Sequence, residues 1–178
     1  VTTVINLWAG SGCGKSTTAA DVFARMKLAG LSVELVTEYV KQWAWRGVSI
    51  GPWDDVYIFA KQLRRESSLY GKVDYIVTDS PLGLGAVYER HYHATRCTLR
   101  DLCNATRKRK QEAGIVDVNC LLKRTKPFVQ AGRYEDEAGA RAVDRLVEEH
   151  LRMGANRPFH FVDGAADVLR AAGLPGAI

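Results

Sequence analysis

The stretch "AGSGCGKST", residues 9–17, puts four residues between Ala9 and the run Gly14, Lys15 and Ser16, which is the spacing of a phosphate-binding P-loop. Successive backbone N–H groups of Gly10, Ser11, Gly12, Cys13 and Gly14 must turn inward around an anion. Glycines at 10, 12 and 14 predict the positive-φ conformations that such a nest demands. A helix opening at Lys15 points its partial positive charge at the same phosphates. Lys15 is expected to reach the β- and γ-phosphates, Ser16 to join the shell of a Mg2+ ion, and Thr17 to add a hydrogen bond. The loop thus predicts ATP and Mg2+ as cofactors, against the alternative of a glycine-rich turn that binds nothing.

Two carboxylates end apolar runs further on: Glu38 after "SVELVT" and Asp79 after "YIVT". Asp79 has the context of a Walker B acid and is expected to hold Mg2+ with Ser16, directly or through water. Glu38 is then the candidate to accept a proton from an attacking hydroxyl. The competing reading makes each carboxylate the cap of a following helix. Downstream, "KRTKPFVQAGRYEDEAGAR" joins cations to a loop composition. Arg124, Lys126, Arg133 and Arg141 are candidates to fold over the transferring phosphoryl group as a lid, about residues 124–138. A charged loop paired internally with Glu135, Asp136 and Glu137 is the alternative. Between residues 39 and 57, Tyr39, Trp43, Trp45, Trp53 and Tyr57 offer aromatic surface for stacking on a nucleobase or for core packing. Gln62 has a carboxamide suited to a base edge, and Arg64 and Arg65 have guanidinium groups suited to a phosphate.

Positioning these groups takes alternating strands and helices. "VINLW" reads as a central parallel strand; helix 15–30, strand 32–38, helix 54–71 and strand 73–79 follow. A helical middle runs from about Ala86 to Ala113, then strand 116–124, helix 135–154, strand 159–164 and a closing helix. This order predicts an α/β fold with a parallel sheet, right-handed crossovers and ligands beyond the carboxyl ends of the strands.

The chain of 178 residues, 47% apolar, suits one domain over residues 1–178. No apolar stretch approaches a membrane span and no secretory leader opens the sequence, so a soluble, cytoplasmic protein without a membrane partner is expected. The four cysteines form no C-x-x-C pair, which favours neither a disulfide framework nor zinc. His91 and His93 sit at a spacing that shares one side of a strand, without a matching ligand cluster. The formal charge of +5 suits an anionic partner, for which ATP alone is sufficient. "RKRKQ" at 107–111 is a solvated helix face or a phosphate-tracking patch.

The combination "AGSGCGKST", "VTEYVKQWAW", "FAKQLRR", "VDYIVTDSPLGL" and "KPFVQAGRYEDEAGAR" resembles the nucleoside and nucleotide kinase branch of P-loop proteins. Within it, the chain is similar to small kinase-like proteins of bacteriophages related to ribosylnicotinamide kinase domains. The resemblance spans nearly the whole chain and implies a three-layer P-loop fold, a five-stranded parallel sheet flanked by helices, with a lid. Deoxynucleoside kinases carry a proton-accepting Glu after the second strand and a nucleobase-reading Gln on a later helix, which Glu38 and Gln62 match by order. Their third-strand acid is followed by Arg and Ser, whereas Asp79 is followed by Ser80 and Pro81. The phage members imply, as first acceptor, the hydroxymethyl group of 5-hydroxymethyluracil within DNA, a step toward hypermodified thymine. A free nucleoside, nucleotide or ribosylnicotinamide is the alternative acceptor. A switch-type ATPase is the alternative of another class.

Overall fold

Val4, Ile5, Leu7 and Trp8 are all buried, because the strand that carries them lies at the centre of a sheet covered on both faces. The computed structural model describes residues 1–51, 53–154 and 158–177. Among these, β1 (Thr3–Trp8), β2 (Val33–Val36), β3 (Tyr75–Thr78), β4 (Val116–Leu122) and β5 (Phe159–Val162) form one sheet in the order β2-β3-β1-β4-β5. Every pairing is parallel.

Strand residues alternate between two layers. Ile5 and Leu7 pack with Val22 and Met26 of α1 (Lys15–Leu28) and with Val168 and Leu169 of α7 (Ala165–Ala171). Trp8 and Leu121 face the other way, against Leu84 and Val87 of α4 (Leu84–Tyr92) and Val143, Val147 and Leu151 of α6 (Glu137–Met153). On α6 the buried stripe Ala140, Val143, Val147 and Leu151 follows helical spacing. Burying each of its larger side chains contributes roughly 1.5–3 kcal/mol. Asp136 starts this helix by accepting from Gly139 N at 2.7 Å.

Two expectations change. The helical middle is two helices, α4 and α5 (Thr98–Glu112). Buried Glu89 of α4 accepts from Leu99 N at 3.0 Å, capping α5 and fixing the break between them. His91 and His93 therefore sit at the end of α4 and just beyond it, and not along a strand; two-residue spacing on a helix turns side chains apart. The segment between the expected strand 32–38 and helix 54–71, for which no element is expected, contains the short helix α2 (Lys41–Trp45) before α3 (Asp54–Ser67). No helix among the described residues is long and apolar enough to cross a membrane.

Candidate active site

At the carboxyl edge of the sheet, the P-loop turns from β1 into α1. Gly12 and Gly14 have φ of 74° and 99°, as the nest requires. Gly10 does not share that conformation. It is glycine for another reason: a Cβ there would lie 2.5 Å from Ala140 O and 2.7 Å from Asp144 Oδ1, so α6 approaches too closely for a side chain. α1 has no acidic residue of its own in its first turn, so no carboxylate of the helix itself opposes its positive end. Lys15 Nζ donates to Ala9 O and Gly10 O at 2.9 Å, which holds the ammonium at the loop. The Cys13 side chain is buried and donates to Leu122 O at 3.4 Å, so only its backbone is available to a phosphate. Its thiol pKa is pushed up, chiefly by burial.

Asp79 joins this end of the site to the next. Its Oδ2 accepts from Ser16 Oγ at 2.5 Å, and its Oδ1 accepts from Glu38 N at 2.9 Å. Lys41 Nζ also reaches Ser16 Oγ, at 3.3 Å. One hydroxyl and one carboxylate suit Mg2+, which takes most of its shell from water and phosphate and needs no protein cage. The inward-turned amides, the helix terminus and Lys15 suit the polyphosphate. Burial raises the Glu38 carboxyl above its ordinary pKa; Lys15 opposes the shift, while Asp79 and Glu135 add to it.

Lys15, Ser16, Glu38 and Lys41 share one cavity of about 1040 Å³, behind whose surface Asp79 is buried. Ser11, Gly12, Gly14, Lys15, Ser16 and Thr17 line its phosphate end. Glu38, Tyr39, Trp45, Gln62 and Tyr88 line the other. The segment between β4 and α6 roofs it. Trp45 packs against Gly132, where an added Cβ would lie 2.6 Å from the indole. Tyr134 donates to Val48 O at 2.6 Å, and Tyr92 donates to Glu135 Oε1 at 2.6 Å. Arg133 stacks its guanidinium on Phe128 and both sit above Gly12, while Lys126 Nζ comes within 4.0 Å of the position a Cβ on Gly14 would take.

Residues 4–168 match the family model AAA_28, described as an AAA domain. The chain belongs to this AAA-domain family. Two solved structures of deoxyadenosine kinase from M. mycoides share its fold. One, with the products dCMP and a flexible dCDP bound, has a TM-score of 0.55 at 15% identity, covering 97% of this chain and 96% of that one. The other, with dATP bound, has a TM-score of 0.51 at 16% identity, with coverage of 97% and 96%. The comparison with curated proteins finds no match. The AAA-domain chain therefore has an α/β P-loop kinase-like fold, with a five-stranded parallel sheet flanked by helices.

Within this AAA-domain fold, several expected site residues stand apart from the cavity or are already engaged with the protein's own groups. Trp43 is in an aromatic cluster with Tyr39 and Tyr57, its ring centroid 6.1 Å from that of Tyr57, and does not line the cavity. Arg65 lies over the Tyr39 ring and donates to Thr37 O at 3.2 Å, bracing the segment before Glu38. Gln62 lines the cavity, but its Oε1 already accepts from Tyr39 N at 2.9 Å, so it also holds backbone. Arg124 lies beneath the P-loop instead of above it, donating to Ser11 O at 2.8 Å and to Asp144 Oδ2 at 2.6 Å. Arg141 pairs with Glu137 on the exposed face of α6.

Asp144 was invisible to sequence reasoning. It accepts from Gly10 N at 2.7 Å while holding Arg124, which ties α6 to the P-loop. Its only signal is a carboxylate beside the apolar stripe, one turn after Ala140. Tyr88 and Tyr92 were missed as well, although their i,i+4 spacing on α4 places them on one face.

Proposed function

We propose that this chain is a Mg2+/ATP-dependent kinase that transfers the γ-phosphate to a hydroxyl of a nucleoside-type acceptor. The observation that carries the reading is the continuity of the cavity, with Lys15 and Ser16 at one end and Glu38, Tyr39 and Gln62 at the other. When bound, ATP supplies the phosphoryl group and Mg2+ neutralises its charge. The P-loop amides and Lys15 hold the phosphates, and Ser16 with Asp79 provides the metal ligands. Glu38 takes the proton as the acceptor oxygen forms its bond to phosphorus and the bond to ADP breaks; a carboxyl whose pKa is raised is a stronger base for that task. Lys126 and Arg133 above the loop stabilise charge on the transferred group. Closure of the segment over the cavity on a bound acceptor would exclude water and favour transfer over the hydrolysis of a switch ATPase.

The placement of Glu38, Tyr39 and Gln62 within one cavity with the P-loop favours a single nucleoside unit, free or as a nucleotide, with ribosylnicotinamide in the same class. The deoxyadenosine kinase structures, solved with dCMP and with dATP, support that class of acceptor and donor. One observation favours a second reading, a phage-encoded enzyme acting on 5-hydroxymethyluracil in DNA on the way to hypermodified thymine. Trp53 is 87% exposed and Trp45 65% exposed, and Tyr57 carries Lys61 5.2 Å above its ring. A strand with one extruded base can stack on such a surface. Labelled γ-phosphate transfer to free nucleosides, nucleotides and hydroxymethyluracil DNA, run in parallel, tests both. Label on a free acceptor supports the first reading and label on DNA alone the second. Phosphate release with no labelled acceptor contradicts both.

A further inference from the structure

A central parallel strand is expected to be apolar on both faces, yet Asn6 of β1 and its register partner Asn119 of β4 are both buried. They belong to a larger polar strip. Asn6 Nδ2 donates to Asp117 Oδ1 at 2.9 Å, and Trp8 Nε1 donates to Asn119 Oδ1 at 2.9 Å. Lys110 of α5 donates to Asp117 Oδ1 at 2.5 Å and to Glu66 Oε1 at 2.9 Å. Apolar side chains at these positions would be less costly to bury than a network in which every member needs a partner. The strip lies under an opening: Asn6, Asp117 and Asn119 form the floor of a second cavity, about 490 Å³, between α4, α5 and the end of α6.

Trp8, Leu82, Ala86 and Met153 give that cavity apolar wall, with Asn104, Thr106 and His150 among them, and Arg90, Arg100 and Arg107 add positive charge to its lining. Arg107 donates to the neutral Gln111 and Arg100 reaches the exposed Asp101 at 3.5 Å, so each guanidinium keeps donors for an anion. Arg90 pairs with Glu149 at 2.9 Å, and Arg96 lies 4.0 Å from Asp55. The carboxylates that face the cavity are engaged: Glu89 on the amides of Leu99 and Arg100, Asp117 on Lys110. His150, beside Trp8, has its pKa lowered by burial and by Arg90, and adds no charge at neutral pH.

We infer that this rear cavity is a second ligand site, for an anion of mononucleotide size whose ring lies against Trp8 over the asparagine floor and whose phosphate meets Arg100 and Arg107. The volume is within the range of small-molecule sites, and an apolar slot with a few convergent polar groups is their usual composition. The site is also connected to the front. Pro81, Leu82 and Glu89 line both cavities, and Cys103 of α5 donates to Leu82 O at 3.3 Å. A ligand held by α5 thus bears on the turn that follows Asp79, and acts as an effector to the extent that it prefers one arrangement of that turn. The inference stands independently of the reaction proposed for the front cavity.

The four tryptophans give the test, because among them Trp8 lines the rear cavity and Trp45 lines the front. With 5-fluorotryptophan incorporated and the Trp8 resonance assigned through Trp8→Phe, the probe dTMP is titrated while 19F spectra are recorded. The expected result is a saturable shift of Trp8. The double variant Arg100→Ala/Arg107→Ala should weaken it by about tenfold or more, in proportion to the lost charge-assisted hydrogen bonds, while leaving the Trp45 response and the melting temperature unchanged. A Trp8 resonance that stays still overturns the inference. So does a Trp8 shift that follows Trp45 with the same midpoint and ignores the arginine substitutions, since that is a relay from the front cavity. A shift produced equally by inorganic phosphate overturns the nucleotide assignment.

Discussion

The two ends of the front cavity are built from different materials. At the proposed phosphate end, the backbone of one short loop, a helix terminus and one lysine line the cavity. At the acceptor end, side chains come from β2's exit, α2, α3, α4 and the segment after β4, and meet only because the sheet order brings those elements together. Asp79 belongs to both ends, with one oxygen on Ser16 and the other on the amide of Glu38. Backbone chemistry is the same whatever the acceptor, whereas the side-chain end is free to vary; in the proposed reaction the contrast separates where the chemistry is fixed from where its substrate is chosen.

Lys15→Ala breaks the phosphate end most severely. Transfer should fall by roughly 10³-fold, as for removal of a single charge-stabilising donor, with the melting temperature near that of the parent. Glu38→Gln tests the other end and should cost roughly 10²–10⁴ in kcat with ATP affinity retained. It also carries a pH signature. Because the folded carboxyl is raised above its ordinary value, the parent's rate should rise with pH through a midpoint higher than that of a free glutamate, and the variant should lack that limb. The same shift makes the folded protein hold an extra proton between the ordinary and the raised pKa, so stability falls as pH rises through that window. Glu38→Gln should therefore melt higher than the parent at neutral pH, a gain in stability with a loss of function.

Asp144→Ala sharpens the contrast from behind. It removes the acceptor of Gly10 N and leaves Arg124 buried without its carboxylate, a loss of about 1–3 kcal/mol by denaturant titration. The KM for ATP should rise while that for the acceptor stays. Gly132→Ala does the converse. With φ at 71° and Trp45 against it, the substitution strains the roof by about 1 kcal/mol and should raise the acceptor KM with little change for ATP. The smallest effect belongs to Trp53→Ala, which should shift stability by no more than about 0.5 kcal/mol and leave a free acceptor's turnover unchanged. A loss confined to DNA acceptors would instead bring the second reading forward.

The legibility of the sequence follows the same division. Spacing alone located the loop, because a nest of amides is made by neighbours in the chain, and strand-helix alternation gave the parallel sheet. Gly10 shows the limit even there: its motif position was legible, but its reason, the approach of α6, depends on a contact between distant segments. Asp144, Tyr88 and the bracing role of Arg65 were hidden for that same cause. Arg124 was expected above the phosphate because composition marks a charged loop without saying which side of the P-loop it passes. Asn6, read as part of an apolar run, was the one residue whose own type signalled something the pattern passed over.

The central claim, that donor phosphates and acceptor occupy one cavity, is tested most directly by a molecule that joins them. Adenosine linked through an oligophosphate to a nucleoside, titrated calorimetrically against the protein with the acceptor present or absent, should bind tighter than ATP by about 10²-fold or more, because the second half binds at high effective concentration. Binding should also be competed by free acceptor and weakened by Gly132→Ala. An affinity no better than that of ATP, indifferent to the acceptor, would contradict the account.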